Sequence, residues 1–81
     1  MDKSIYSQRQ EILQRLLRDI RGEAGLRQVD LAKKLGQPQS FVSKYESGER
    51  RLDILELIHV CECCDISIDD FVNRFLEGDC R

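Results

Sequence analysis

The sequence predicts a single all-α domain of five helices, on three observations. Apolar residues recur at the 3.6-residue helical period from end to end, and no segment alternates apolar with polar residues between turn residues, as a strand would. Glycines also close the periodic runs at short intervals. A chain of 81 residues supports one core, so the domain is expected to span 1–81 with any binding surface on its exterior. With 41% apolar and 35% charged residues it fits a folded domain with a small core rather than a disordered chain. There is no internal repeat and no low-complexity segment.

The first helix is expected from about Ser7 to Glu23, where Ile12, Leu13, Leu16, Leu17 and Ile20 make an inward stripe and Gly22 and Gly25 mark the end. The second is short, Gln28 to Leu35, with Leu31, Ala32 and Leu35 turned inward and Gly36 stopping it in a left-handed conformation. The third runs from Pro38 or Gln39 to Ser47, proline being tolerated at a helix start and Gly48 closing the end. The fourth opens on Asp53-Ile54-Leu55-Glu56, a capping-box-like pattern, and is expected to bring Ile54, Leu55, Ile58, Cys61 and Cys64 to the core. The fifth, about 67–77, starts at Ser67 and ends at Gly78. Its apolar arc of Ile68, Phe71, Val72, Phe75 and Leu76 is wider than one small core covers, which predicts dimerisation through this helix and the adjoining end of the fourth.

The net charge of −2 hides a polarity along the chain. Residues 27–51 carry six basic and three acidic side chains, whereas residues 52–81 carry two basic and eight acidic. A locally basic face attracts phosphates within a Debye length, about 8–10 Å, even on an acidic molecule. No stretch approaches the roughly 20 apolar residues of a membrane helix, and the start Met1-Asp2-Lys3-Ser4 is not that of a signal peptide, so a cytoplasmic location is expected. Three of the four cysteines fall within four positions, Cys61, Cys63 and Cys64, with Cys80 apart. That spacing staples no wide loops and favours reduced thiols. Together with His59 they are numerous enough for zinc, but Cys61 and Cys64 share one helical stripe while Cys63 points elsewhere, so neither metal nor cofactor is expected.

Two short helices joined by a glycine turn, crossing steeply and closely, make a helix-turn-helix, here over about 28–47. Ala32 is small at the crossing, Gly36 makes the turn, Val42 fills the angle and Tyr45 covers the back. With these features in register, the chain from Leu16 to Phe71 resembles the DNA-binding domains of lambdoid phage repressors and Cro, including the large bacterial xenobiotic-response-element-like (XRE-like) group. The resemblance rests on Arg21, on Leu26-Arg27-Gln28, on Leu31 through Gly36, on Gln39 through Gly48, and on Asp65-Ile66-Ser67-Ile68-Asp69.

The resemblance implies double-stranded DNA as the partner, a regulatory outcome on transcription, and roles for individual residues. Gln39, Ser40, Ser43 and Lys44 fall on the face that meets base edges. Gln28 looks like the glutamine that donates to a phosphate and braces the recognition helix. Arg27, Arg50 and Arg51 are assigned to phosphate, and Arg21 with Glu46 to an internal structural pair. Three positions depart from the family pattern: Arg27 stands where a hydroxyl cap is usual, Pro38 replaces a hydroxyl residue, and Leu52 replaces a frequent proline. A small regulator acting as a homodimer is the expected function, with an antitoxin-like module that grips a partner protein as the alternative. One histidine, no Ser/His/Asp constellation and no phosphate-binding glycine loop argue against an enzyme.

Overall fold

The structure, a computed structural model, describes the backbone of residues 3–79 and the side chains of residues 7–78. The chain start and Cys80 lie outside the described residues. Five helices follow one another: α1 (Lys3–Glu23), α2 (Gln28–Leu35), α3 (Gln39–Ser47), α4 (Ile54–Cys63) and α5 (Ile68–Asp79). No strand occurs among the described residues. α1 begins four residues before the expected Ser7, since no proline or glycine precedes its apolar stripe to fix a boundary. At its other end Gly22 stays helical, and the chain turns at Gly25 instead.

The core is built from every helix: Leu16, Leu17 and Ile20 of α1, Leu31 and Ala32 of α2, Val42 and Tyr45 of α3, Val60 and Cys61 of α4 with Cys64 beyond it, and Phe71 of α5. Tyr45 packs edge-on against Phe41 at 5.6 Å between ring centroids, a favoured aromatic geometry. Its hydroxyl is buried without a hydrogen-bond partner, which offsets part of the gain from burying the ring, and desolvation raises its pKa.

Helix ends explain much of the trace. Gly36 adopts φ 70°, and the N–H groups of Gly36 and Gln37 donate to the carbonyls of Lys33 and Ala32, satisfying the orphan carbonyls of α2 in a Schellman turn. Asp53 caps α4 by accepting the Glu56 N–H at 2.7 Å, while Glu56 accepts the Asp53 N–H at 3.0 Å, a complete capping box. The Ser67 hydroxyl accepts the Asp70 N–H at the start of α5. After α4 the left-handed position falls to Asp65 (φ 60°), one of the few non-glycine residue types that tolerate it.

Three sequence expectations are corrected here. Ile54 and Leu55 do not enter the core but stand 60% and 74% exposed, because the inward stripe of α4 is Leu57, Val60, Cys61 and Cys64. Phe71, assigned to a dimer surface, is 2% exposed and belongs to the core. Ile68 and Phe75 are half-buried against that core, leaving Val72 and Leu76 as the exposed apolar residues of α5. Finally, Gly78 does not end α5; the helix runs through it to Asp79, where the missing side chain permits close approach to Ile12 of α1.

Cys61 and Cys64 are buried in the core, and desolvation pushes each thiol up to about 11, so both stay protonated and unreactive near neutral pH. Among the described residues no cluster of His, Cys, Asp and Glu has the arrangement of a metal site, and no helix is long and apolar enough to cross a membrane.

Candidate nucleic-acid interface

α3 carries two faces of opposite character. Val42, Tyr45 and Glu46 are buried, with Phe41 half-buried at the margin, while Gln39, Ser40, Ser43 and Lys44 are all exposed. Those four positions, at i, i+1, i+4 and i+5, make one polar stripe about two turns long. Nine helical residues span roughly 13 Å, comparable to the roughly 12 Å width of the DNA major groove.

A polar network anchored on Glu46 fixes the buried face. Its carboxylate is 3% exposed and accepts from Arg21 Nε at 2.7 Å and Nη2 at 3.0 Å, and from Gln28 Nε2 at 3.0 Å. Arg21 spends a further N–H on the Leu26 carbonyl at 3.0 Å, tying α1, the α1–α2 turn and α3 together. The bidentate geometry supplies charge-assisted bonds, and the Glu46 partnership raises the Arg21 pKa. Arg18 adds a bond from Nη1 to the Glu46 carbonyl at 3.1 Å, a contact absent from the sequence reading.

Gln28 links this network to the exposed stripe. Because a carboxylate only accepts, Glu46 fixes the Gln28 amide with its nitrogen inward, so Gln28 Oε1 receives Gln39 Nε2 at 3.3 Å. The bracing assigned to Gln28 thus has a physical form: one amide joins the first turn of α3 to a buried ion pair.

The basic residues assigned to phosphate are placed differently from one another. Arg27 is 79% exposed at the N-terminus of α2 and pairs with Asp30 at 3.0 Å, and that pairing holds the Asp30 carboxyl down at about 2. Asp30 also accepts the Arg27 backbone N–H, so half of a capping box survives although the arginine side chain cannot accept a bond. Arg50 is more engaged. It forms a bidentate pair with Glu56 at 3.0 and 2.8 Å, donates to the Arg51 carbonyl, and lies 4.6 Å from the Phe41 ring centroid. Arg51, Lys33 and Lys34 are exposed.

The helix-turn-helix geometry decides the family when set beside known proteins. The family model described as helix-turn-helix matches residues 17–71. An XRE-family like protein from Pseudomonas syringae pv. tomato superimposes with a TM-score of 0.85 at 39% identity, covering 93% of this chain and 92% of that one. The chain belongs to the XRE family of helix-turn-helix proteins. Membership makes this XRE-family protein a DNA-binding regulator by type. The clp gene regulator ClgR of C. glutamicum, 23% identical over 86% of this chain and 90% of its own, shares the fold at a TM-score of 0.76. No curated protein sequence matches the chain.

A groove of about 620 Å³ lies away from the α3 stripe, between α1 and α5. It is open and lined largely by charged side chains, among them Glu11, Arg15, Asp19, Arg74 and Glu77. That mixed-sign lining contrasts with the mostly apolar lining of small-molecule sites.

Proposed function

We propose that the protein is a sequence-specific transcriptional regulator that lays α3 in the major groove of double-stranded DNA and binds a pseudo-palindromic operator as a homodimer. The observation that carries this reading is the two-faced α3: a polar stripe of Gln39, Ser40, Ser43 and Lys44 held in fixed orientation by a buried network on the opposite face. A glutamine amide pairs with adenine N6 and N7, serine hydroxyls meet either base, and lysine reaches guanine acceptors or phosphate. Arg27, Arg50, Arg51 and the second N–H of the Gln28 amide, whose other N–H serves Glu46, are proposed to hold the backbone. Three of the five guanidinium N–H groups of Arg50 are committed to Glu56 and the Arg51 carbonyl, which leaves two for a phosphate.

Base contacts and phosphate contacts respond differently to substitution. Gln39→Ala is expected to cost about 1–3 kcal/mol on the preferred site and to relax base preference at one or two positions. Arg51→Ala is expected to weaken cognate and scrambled duplexes alike and to reduce the salt slope by about 0.9, one phosphate's share. Titration of both variants on both duplexes at several salt concentrations makes the comparison. An unchanged cognate-to-scrambled ratio in Gln39→Ala contradicts base reading by the α3 stripe.

A further inference from the structure

Arg50 lies between α3 and α4 with its guanidinium held on three sides. Its end, Nη1 with Nη2, donates to the two Glu56 oxygens at 3.0 and 2.8 Å, and Nη1 also donates to the Arg51 carbonyl at 2.7 Å. One face lies over the Phe41 ring of α3. The backbone is tied as well, the Arg50 N–H donating to the Lys44 carbonyl at 3.2 Å.

These contacts leave one edge of the group unspent. Among the described residues no acceptor takes the Nε hydrogen or the second Nη2 hydrogen of Arg50, and those two N–H bonds run side by side along one edge of the planar guanidinium. Such an edge is a two-pronged donor for an oxyanion. Arg21 uses the same edge in this protein: its Nε and Nη2 donate to the two Glu46 oxygens at 2.7 and 3.0 Å, and its Nη1 to a backbone carbonyl. In Arg50 the carboxylate occupies the end instead, so the side fork stays open to a further anion.

The carboxylate that holds Arg50 is itself anchored. Glu56 stands in the first turn of α4, where its Oε1 also accepts the Asp53 N–H at 3.0 Å and its own N–H donates to the Asp53 carboxylate at 2.7 Å. An unheld side chain must be frozen when it meets DNA, which costs roughly 2- to 10-fold in affinity, and arginine, among the side chains richest in rotamers, falls toward the upper end. The opposing effect is repulsion between Glu56 and the phosphate. Across a shared guanidinium the two anions stand roughly 7 Å apart, and in salt water that costs about twofold. Holding the arginine outweighs the repulsion.

We propose that Glu56 is a positioning residue for DNA binding: it sets the Arg50 fork, Nε with Nη2, so that one backbone phosphate is gripped at two oxygens. This role rests on the reading of Arg50 as a phosphate contact. Its consequence is a sign, since a carboxylate, the wrong charge for DNA, then raises affinity for it.

The test compares Arg50→Ala, Glu56→Gln and Glu56→Asp, and both Glu56 changes in the Arg50→Ala background, on cognate and scrambled duplexes over a salt series. Glutamine keeps the length and one acceptor oxygen but loses the charge. Aspartate keeps the charge that suits a helix start but falls one methylene short of Arg50. Both variants fold, which circular dichroism verifies. Arg50→Ala is expected to bind both duplexes about tenfold more weakly, with a salt slope lower by about 0.9. Glu56→Asp should lose about fivefold and Glu56→Gln about threefold, the relief of repulsion offsetting part of the loss in the second. Their salt slopes should fall toward that of Arg50→Ala, and in the Arg50→Ala background neither change should weaken binding further. A Glu56 that acts by charge alone gives tighter binding in Glu56→Gln and no change in Glu56→Asp, and overturns the proposal. A loss that persists without Arg50 overturns it too. Failure of the phosphate reading looks different: Arg50→Ala itself then binds both duplexes as the wild type does, and the role of Glu56 falls with it.

Discussion

Replacing Glu46 by alanine is expected to destabilise the protein by about 3 kcal/mol, because it strands a guanidinium deep in the fold. Glu46 is 3% exposed and Arg21 only 18%, so the arginine left behind is solvated at one edge at most. Removing one partner of a buried pair costs roughly 3–5 kcal/mol, mainly the penalty for the orphaned charge, and the residual exposure of Arg21 places this case at the low end. Domains of this size are stable by only about 0.05–0.15 kcal/mol per residue, so the loss is a large part of the total. Gln28 loses its anchor too, freeing the amide that orients Gln39. Urea unfolding by circular dichroism measures the first effect through the midpoint. Loss of cognate preference beyond that of a stability-matched core variant measures the second. An unchanged midpoint contradicts the assignment of Glu46 as the centre of the scaffold.

The second large effect concerns Phe71. Phe71→Ala is expected to cost about 3–5 kcal/mol, the usual range for emptying a buried phenylalanine site. Its ring, 2% exposed, packs in a core shared with Leu17, Ile20 and Cys64. Val72→Ala, one position on but 41% exposed, should fall within about 0.5 kcal/mol of the wild type, as surface changes do. Comparable costs for the two in thermal or urea unfolding contradict the burial pattern of α5 and return Phe71 to an exposed surface.

That contrast shows where the sequence is legible and where it is not. The α2-turn-α3 unit is readable because its determinants are local: Ala32 at the crossing, left-handed Gly36 and Val42 in the angle act within about twenty residues. The exposed stripe of α3 follows from the same register. The inward phases of α4 and α5 are less accessible. α4 carries apolar residues around most of its circumference and α5 along a broad arc, and the buried stripe of each is chosen by how α1 and α2 dock against them. Ile54 and Leu55 therefore satisfy a helical stripe on paper yet stand in solvent, and Phe71 satisfies a dimer arc yet lies in the core.

Long-range polar partners were accessible only in part. The resemblance to XRE-like proteins paired Arg21 with Glu46, whereas Arg18 and the Arg50–Glu56–Phe41 group join segments whose proximity no local rule supplies. Helix ends without glycine were also hidden, as at Asp65, while Gly78 lies inside a helix it was expected to end. The cysteines illustrate the reverse. A stripe position in α4 sufficed to read Cys61 as a core residue, and burial accounts for its raised pKa.

The central claim is that α3 reads DNA sequence. Selection from a pool of random duplexes with the wild-type protein tests it most directly, followed by affinity measurement on the enriched duplex and a scrambled one at physiological salt. The account predicts one enriched motif with two-fold symmetry, half-sites about 10 base pairs apart, and a preference of at least about 10³ over scrambled sequence. Equal affinity for both duplexes, set by salt alone with no motif enriched, contradicts it.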